Sequence, residues 1–501
     1  MTATRQSAAT RLAQCSTASG HTLAVVMAVA LGACSTMPNR GPEIPALPQD
    51  WSRVPEASAT QDLSAWWVGF GDPALTQMVD EAVLGAPNVQ LAQLRLVEAR
   101  AAARSTIAAY LPRLSATVSG QYTEVEDGPL LTGSFQSFVQ GGGQGAVTLE
   151  EQQMIGAYGP RASWEIPLFA RAQAAARGAR ASRVFAEADL AGARVAIAAD
   201  VAEAYVALRR AQNIQEAIAQ SAVAAAQLAD VLEIGAGAGL IAPADAADAR
   251  RQAEALRARQ ADLSLAVSRA IGQLALLRGR APGTEAPELN SVLRQIGPVP
   301  QTPLFTVTAA PADLLRLRPD IALAEARALG AAAAVGAARS ELLPQINLTG
   351  GLNIADNLIG AALPERLAQF EAQPVISIPL FDWGQRMAGV TRADAQFSAA
   401  LITYQETVNL AVAEADGSLV ALSFAQGRLE ASRAAEAAAQ VAARGARAAF
   451  EAGLSSLPDR LRADQLLIDA QVNRIEAEAS MALAAIAVYR AFGGGPPPTA
   501  P

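Results

Sequence analysis

The sequence predicts an α+β membrane protein in which a transmembrane β-barrel is continued by long α-helical coiled-coil hairpins, the unit being written twice along the chain. Three observations carry that prediction. Landmarks of the first half return in order in the second, short stretches alternate apolar and polar residues with period 2, and long alanine-, arginine- and glutamate-rich runs proceed without a proline.

The duplication organises the rest. Leu111-Pro112-Arg113-Leu114 returns as Leu343-Pro344-Gln345-Ile346, and Ile166-Pro167-Leu168-Phe169 as Ile378-Pro379-Leu380-Phe381. Gly239-Leu240 with Asp245 returns as Gly453-Leu454 with Asp459. The first copy is the longer because of a Gly-rich insert around Gly141 to Gly145. The first repeat therefore covers residues 61–280 and the second 312–492, with a proline-rich linker over 281–311 and a Gly/Pro tail over 493–501.

The strands follow from the period-2 stretches. Leu114, Ala116, Val118, Gly120 and Tyr122 interleave with Ser115, Thr117, Ser119, Gln121 and Thr123, which predicts a strand over about 113–124. Ala162, Trp164 and Ile166 against Arg161, Ser163 and Glu165 predict its return over about 157–168. The second copy gives strands over about 345–354 and 373–380. Four such strands are of the length that crosses an outer membrane when tilted, yet four cannot close a barrel, and an open edge is not tolerated in lipid. Three chains supply twelve strands and leave a pore, so the strand count predicts a homotrimer.

The proline-free runs predict helices over about 170–233 and 382–452, each turned at a Gly/Pro loop and returning over about 243–280 and 458–492. At 1.5 Å per residue the longer pair reach roughly 95 to 105 Å, deeper than any globular core. Apolar or small residues recur at spacings of 4 and 3 in Val184, Ala188, Ala191, Val195, Ala198, Ala202 and Tyr205, and again in Phe397, Leu401, Tyr404, Val408 and Ala411. That is a coiled-coil seam built mostly from alanine.

The amino terminus carries an address. Arg5 and Arg11 precede an apolar stretch from Leu23 to Leu31 that is too short to span a bilayer and ends in Leu31-Gly32-Ala33-Cys34. This pattern resembles a bacterial lipobox, with residues 1–33 a lipoprotein signal peptide and Cys34 the lipidation site. Ser35 in place of aspartate points that lipoprotein to the outer membrane, and residues 34–60, rich in proline, read as an extended tether.

Composition excludes much. All 39 basic residues are arginine, so a P-loop lysine and a Schiff-base lysine are both absent. The one histidine, His21, lies in the predicted leader, which removes histidine-activated nucleophiles and the commonest metal ligand. Net charge is −8, which argues against nucleic acid. No cofactor is expected beyond a covalent lipid on Cys34.

With these landmarks in place, the chain resembles the TolC-like outer-membrane efflux proteins, specifically the lipoprotein branch that serves RND multidrug pumps. The resemblance rests on Trp66-Trp67 with Phe70-Gly71-Asp72-Pro73-Ala74-Leu75, on Glu98-Ala99-Arg100-Ala101, on both Leu-Pro strand starts and on the doubled Ile-Pro-Leu-Phe. Leu317-Arg318-Pro319-Asp320-Ile321 and the closing Phe492-Gly493-Gly494-Gly495 complete it. It implies a trimeric barrel in the outer membrane over a periplasmic helical tunnel, working with a periplasmic adaptor and an inner-membrane transporter, and no catalysis.

The same resemblance implies that aspartates just after the hairpin tip ring the periplasmic aperture. Asp459 matches such a position; three residues on, where a second aspartate is frequent, this chain has Arg462. Asp459, Arg462 and Leu457 are the candidate aperture residues, an Asp459–Arg462 pair being a possible latch. Phe169, Phe381 and Trp383 stand at the strand-to-helix corners, either as aromatics at the membrane interface or as corner packing. Alternatives are the same fold in type I protein secretion or metal efflux and, from another class, a structural periplasmic coiled-coil lipoprotein. An adaptor would have one hairpin rather than two. An enzyme would rest on carboxylates such as Glu150 and Glu151 in the Gly-rich insert, where solvated charges are the expectation.

Overall fold

The computed structural model describes residues 45–52, 63–124, 152–284, 287–302, 312, 318–359 and 366–494. The predicted leader, Cys34, the Gly-rich insert with Glu150 and Glu151, and the tail beyond Gly494 lie outside the described residues. The chain divides into two compact units, one holding residues 99–183 and 327–401 and the other 43–98, 184–326 and 402–501.

The first unit is built on a four-stranded antiparallel sheet of β1 (Arg113–Glu124), β2 (Gln152–Ile166), β3 (Gln345–Ile359) and β4 (Leu367–Ser377), paired in chain order. The strands start just after Pro112 and Pro344, and β2 and β4 stop just before Pro167 and Pro379, where a missing N–H costs no ladder bond. Two prolines lie inside strands. Pro374 pairs with Leu348 on edge strand β4, and Pro160 pairs with Ala116 at a place where β2–β3 pairing lapses between Tyr158 and Arg161. Neighbouring Gly159 is obligatory, since a Cβ there would stand 1.7 Å from the Leu352 carbonyl oxygen. Beside the sheet, Ala332 and Val335 pack with Ala393 and Phe397, and the Trp164 indole donates to the Tyr110 carbonyl at 3.0 Å.

The helices are α1 (Pro73–Gly85), α2 (Pro87–Ala108), α3 (Arg171–Gly237), α4 (Pro243–Leu277), α5 (Pro287–Arg294), α6 (Pro319–Ser340), α7 (Gln385–Glu451) and α8 (Leu457–Ala491). Repeat symmetry is kept to the residue: α2 and α6 have 22 residues each, α3 and α7 have 67, and α4 and α8 have 35. All four hairpin helices end alike. Gly239, Gly279, Gly453 and Gly493 adopt φ between 72° and 75°, and the following amide reaches five residues back, as in Leu240 N–H to Gly235 O and Leu454 N–H to Ala449 O. Only glycine takes that left-handed backbone freely, and the two crossed bonds satisfy carbonyls that the helix end leaves open.

Of the predicted seam, Ala188, Val195, Ala198, Ala202 and Tyr205 are buried in α3, and Phe397, Tyr404, Val408 and Ala411 in α7. In the second unit Ile321 and Ala324 of α6 cluster with Tyr404, Val408 and Ala411 of α7, and Ala229 of α3 with Ala249 and Ala253 of α4. Alanine lets helix axes approach closely and leaves each contact small.

Several expected boundaries are corrected. The second strand begins at Gln152 rather than about 157, the third runs on to Ile359, and the fourth is Leu367–Ser377 rather than 373–380. Gly156 in β2 and Pro374 in β4 interrupt the alternation, and in β3 the polar Asp356 and Asn357 do so. The linker 281–311 contains α5, an amphipathic helix of about two turns whose Leu293 is buried. The tether over 34–60 is fastened at Trp51, which packs edge-on against Phe492 with centroids 5.3 Å apart, while the Ser52 amide donates to Asp416.

Candidate functional site

Directly paired residues share a face of a sheet, so the register sorts the side chains. One face reads Leu114–Ala162, Val118–Tyr158 and Tyr122–Met154 across β1–β2, Trp164–Leu348 and Tyr158–Ile354 across β2–β3, and Leu352–Phe370 and Ile346–Ile376 across β3–β4. Apart from Glu124 at the end of β1 and Asp356 on β3 it is apolar, yet uncovered: Val118 is 86% exposed and Phe370 77%. The other face carries Ser115–Arg161, Ser163–Thr349, Thr349–Gln373 and Asn353–Gln369. A sheet greasy on one face and hydrophilic on the other, with β1 and β4 each paired on one side only among the described residues, is a piece of barrel wall between lipid and water.

Each strand-to-helix corner is turned by two consecutive left-handed residues, Phe169 (φ 52°) and Ala170 (φ 61°) before α3, and Trp383 (φ 56°) and Gly384 (φ 82°) before α7. The second corner is two residues longer after Ile-Pro-Leu-Phe. Its Asp382 accepts from the Gly384 and Arg386 amides, both at 3.2 Å, and pairs with the Arg386 guanidinium at 3.0 Å, capping α7. The predicted aromatics divide accordingly. Phe169 is half-buried, whereas Phe381 and Trp383 are 76% and 90% exposed, their rings edge to face at 4.8 Å.

At the second tip Ser456 and Asp459 form a reciprocal capping box. The Ser456 hydroxyl accepts from the Asp459 amide, and the Asp459 carboxylate accepts from the Ser456 amide and hydroxyl. Those bonds, and secondarily Arg462, hold the Asp459 carboxyl below its ordinary value. Arg462 lies 3.5 Å from Asp459 within the same chain, both side chains being exposed. Leu457 opens α8 and is half-buried; the bare apolar residue of this tip is Leu454, 82% exposed, and its counterpart in the first tip is Leu240, 81% exposed. Both leucines follow the left-handed glycine, a signal present in the sequence though not among the predicted site residues.

The base of the second unit is cemented by polar pins. Trp66 stacks on Tyr489 (4.9 Å, 13°), and Trp67 donates to Asp80 at 2.9 Å, so the paired tryptophans pack the amino-terminal segment. The Tyr205 hydroxyl donates to Asp72 at 2.7 Å and accepts from buried Arg209, which also reaches the Gln295 carbonyl. Buried Arg278 donates to the Leu274 carbonyl and pairs with Glu81 at 3.2 Å. Arg318 grips Asp320 at 2.7 Å, Glu414 at 2.6 Å and the Ala491 carbonyl.

Comparison with known proteins agrees with this geometry. Residues 78–280 and 310–494 match the family model of the outer membrane efflux protein. The antibiotic efflux pump outer membrane protein ArpC of Pseudomonas putida is 27% identical over 478 residues, covering 94% of each chain. The cation efflux system protein CusC of Escherichia coli is 25% identical, covering 94% of this chain and 97% of its own. Among solved structures, the outer-membrane channel OprN superposes with a TM-score of 0.73 at 26% identity, over 92% of this chain and 98% of its own. With its strands forming the wall in the outer membrane, this chain belongs to the outer membrane efflux protein family and is an outer-membrane efflux channel.

Proposed function

We propose that three copies close their sheets into one twelve-stranded barrel and that the channel is the passive exit duct for drugs or other small molecules expelled by an inner-membrane RND transporter through a periplasmic adaptor. The observation that carries this reading is the sheet with one bare apolar face and two open edges, which lipid does not tolerate until neighbouring chains close it. No bond of the cargo is made or broken; the chain supplies a path. Exposed Leu240 and Leu454 at the hairpin tips offer the adaptor apolar contacts at equivalent places in the two repeats. Asp459, Arg462 and Leu457 line the periplasmic aperture, and Phe381 with Trp383 sits at the membrane interface. Cys34 bears the lipid.

A second reading, cation efflux, is favoured by the likeness to CusC. Its soft-metal form is opposed by a chain with 7 methionines and 1 histidine. Dye retention decides between exit duct and bystander. Cells lacking this chain should accumulate a fluorescent multidrug-pump substrate, and restoring the chain should clear it; equal retention with and without it would contradict the proposal. Clearance of a metal cation but not of the dye would favour the second reading.

A further inference from the structure

The hydrophilic face of the sheet carries two charges that neither folding nor solubility requires. Within β1–β4, Arg113 and Glu124 stand at the two ends of β1, Glu165 near the end of β2 pairs with Arg171 at 3.3 Å, and Asp356 lies 3.8 Å from Arg366. The remaining two, Arg161 and Glu371, are in mid-strand and exposed, and neither makes an ion pair among the described residues.

These two fall on one cross-strand row. Ser115 pairs with Arg161, Arg161 with Gly351, and Gly351 with Glu371, so the opposite charges lie two strand spacings apart, roughly 10 Å. A glycine separates them. A Cβ at Gly351 would stand 3.1 Å from Arg161 Cγ and 2.8 Å from the Pro160 carbonyl oxygen, so the arginine stem lies against the bare backbone of β3. Between the charges a groove of about 340 Å³ stays open, bounded by Ser115, Thr349, Asn353 and Gln373. A serine or glutamine at either charged position would hydrate the wall equally well. What a fixed charge adds to a pore lining is a preference among the ions that pass it.

We propose that Arg161 and Glu371 are the charge-selecting residues of the barrel lumen, Glu371 favouring cations and Arg161 favouring anions at the same height of the wall. Their balance lets solutes of either sign, and amphoteric ones, pass without a barrier of one polarity. This rests on the closed-barrel reading, which turns the hydrophilic face to the pore.

The test is the reversal potential of the purified full-length channel in planar bilayers under a potassium chloride gradient. Coulomb's law in water at about 8 Å, screened by about 0.1 M salt and counted for cation and anion in opposite directions, gives roughly a twofold change in the cation-to-anion permeability ratio per charge. Glu371→Gln should lower the ratio by that factor, Arg161→Gln should raise it, and the double variant should return near the parent value. Glu371→Asp and Arg161→Lys should leave it unchanged. Should a neutral variant fail to assemble, Glu371→Cys labelled in the open channel with a cationic or an anionic thiosulfonate gives the same readout, the shift following the sign of the reagent. Conducting variants whose ratios stay at the parent value, or move in the same direction, would overturn the proposal while leaving the channel intact. Absence of any conductance from the parent protein would overturn the closed barrel and this inference with it.

Discussion

From Arg171 to Leu277, and again from Gln385 to Ala491, the chain lays down the same pair of helices, 67 residues followed by 35, with the same left-handed glycine at all four ends. The two hairpins nonetheless differ at their tips. The first returning helix starts at Ala242, which offers no side-chain cap, whereas the second starts at Ser456 inside a reciprocal box with Asp459. They also differ at their bases, where the first is held by Arg278 on Glu81 and the second by Arg318 on Asp320, Glu414 and the Ala491 carbonyl. Length is common to the two repeats; local chemistry diverges wherever a residue meets something other than its repeat partner.

That comparison can be broken most forcefully at the wall. If both repeats contribute equal strands, Val118→Arg in β1 and Phe370→Arg in β4 should each cost about 2–4 kcal/mol, the penalty of a guanidinium facing lipid near the midplane. Thr117→Arg, on the opposite face, should be tolerated. Folding titrations in lipid vesicles measure this, and a tolerated Val118→Arg would mean that the apolar face is covered by something other than lipid.

At the bases, Arg318→Ala should cost about 2–3 kcal/mol by removing hydrogen bonds to charged acceptors. Arg278→Ala, with its carbonyl bond and one carboxylate, should cost somewhat less. Thermal melts in detergent compare them, and equal costs would erase the distinction between the two bases.

The tips can be interconverted. Ala242 is followed three residues later by Asp245, as Ser456 is by Asp459, so Ala242→Ser recreates the capping box of the second tip and should stabilise the first by about 0.5–1 kcal/mol, while Ser456→Ala should cost about as much. The second effect depends on pH with a defined sign. The Asp459 carboxyl is depressed below 3.8, so its contribution is full above the unfolded value and fades as pH falls through the depressed one. Hydrogen-exchange protection of the tip amides should therefore separate parent and Ser456→Ala at neutral pH, and the gap should narrow in acid. A gap that grew in acid would contradict the assigned cap.

The smallest effect concerns Asp459 and Arg462, an exposed pair of the kind worth about 0–1 kcal/mol. Arg462→Asp should raise single-channel conductance by unpairing Asp459 in each chain, and Asp459→Arg in the same chain should partly reverse it. Unchanged conductance would move the constriction to apolar tip residues such as Leu454 and Leu457.

Much of this architecture is legible in the sequence because it is periodic. A period of 2 after Pro112, proline-free alanine runs and glycine turns each have one local solution, and duplication checks each against its twin. What is not legible there is non-periodic. Pro374 on edge strand β4 hid the first half of that strand, because only the pairing partners show that its missing N–H is not needed, and Gly156 hid the first third of β2. The groups converging on Arg209 and Arg318 lie as far as 86 and 173 residues away in sequence. The row of Arg161, Gly351 and Glu371 exists only once register is known. Asp459 and Arg462 were readable as a pair from their i, i+3 spacing, but the Ser456 box that orients the aspartate and the exposure of Leu454 rather than Leu457 required coordinates.

The central claim is that each chain is one third of a barrel wall. Native mass spectrometry of the full chain released from detergent micelles tests it most directly. The account predicts a species of three times the chain mass that keeps its strand content and dissociates only on unfolding; a stable folded monomer, or a dimer, would contradict it.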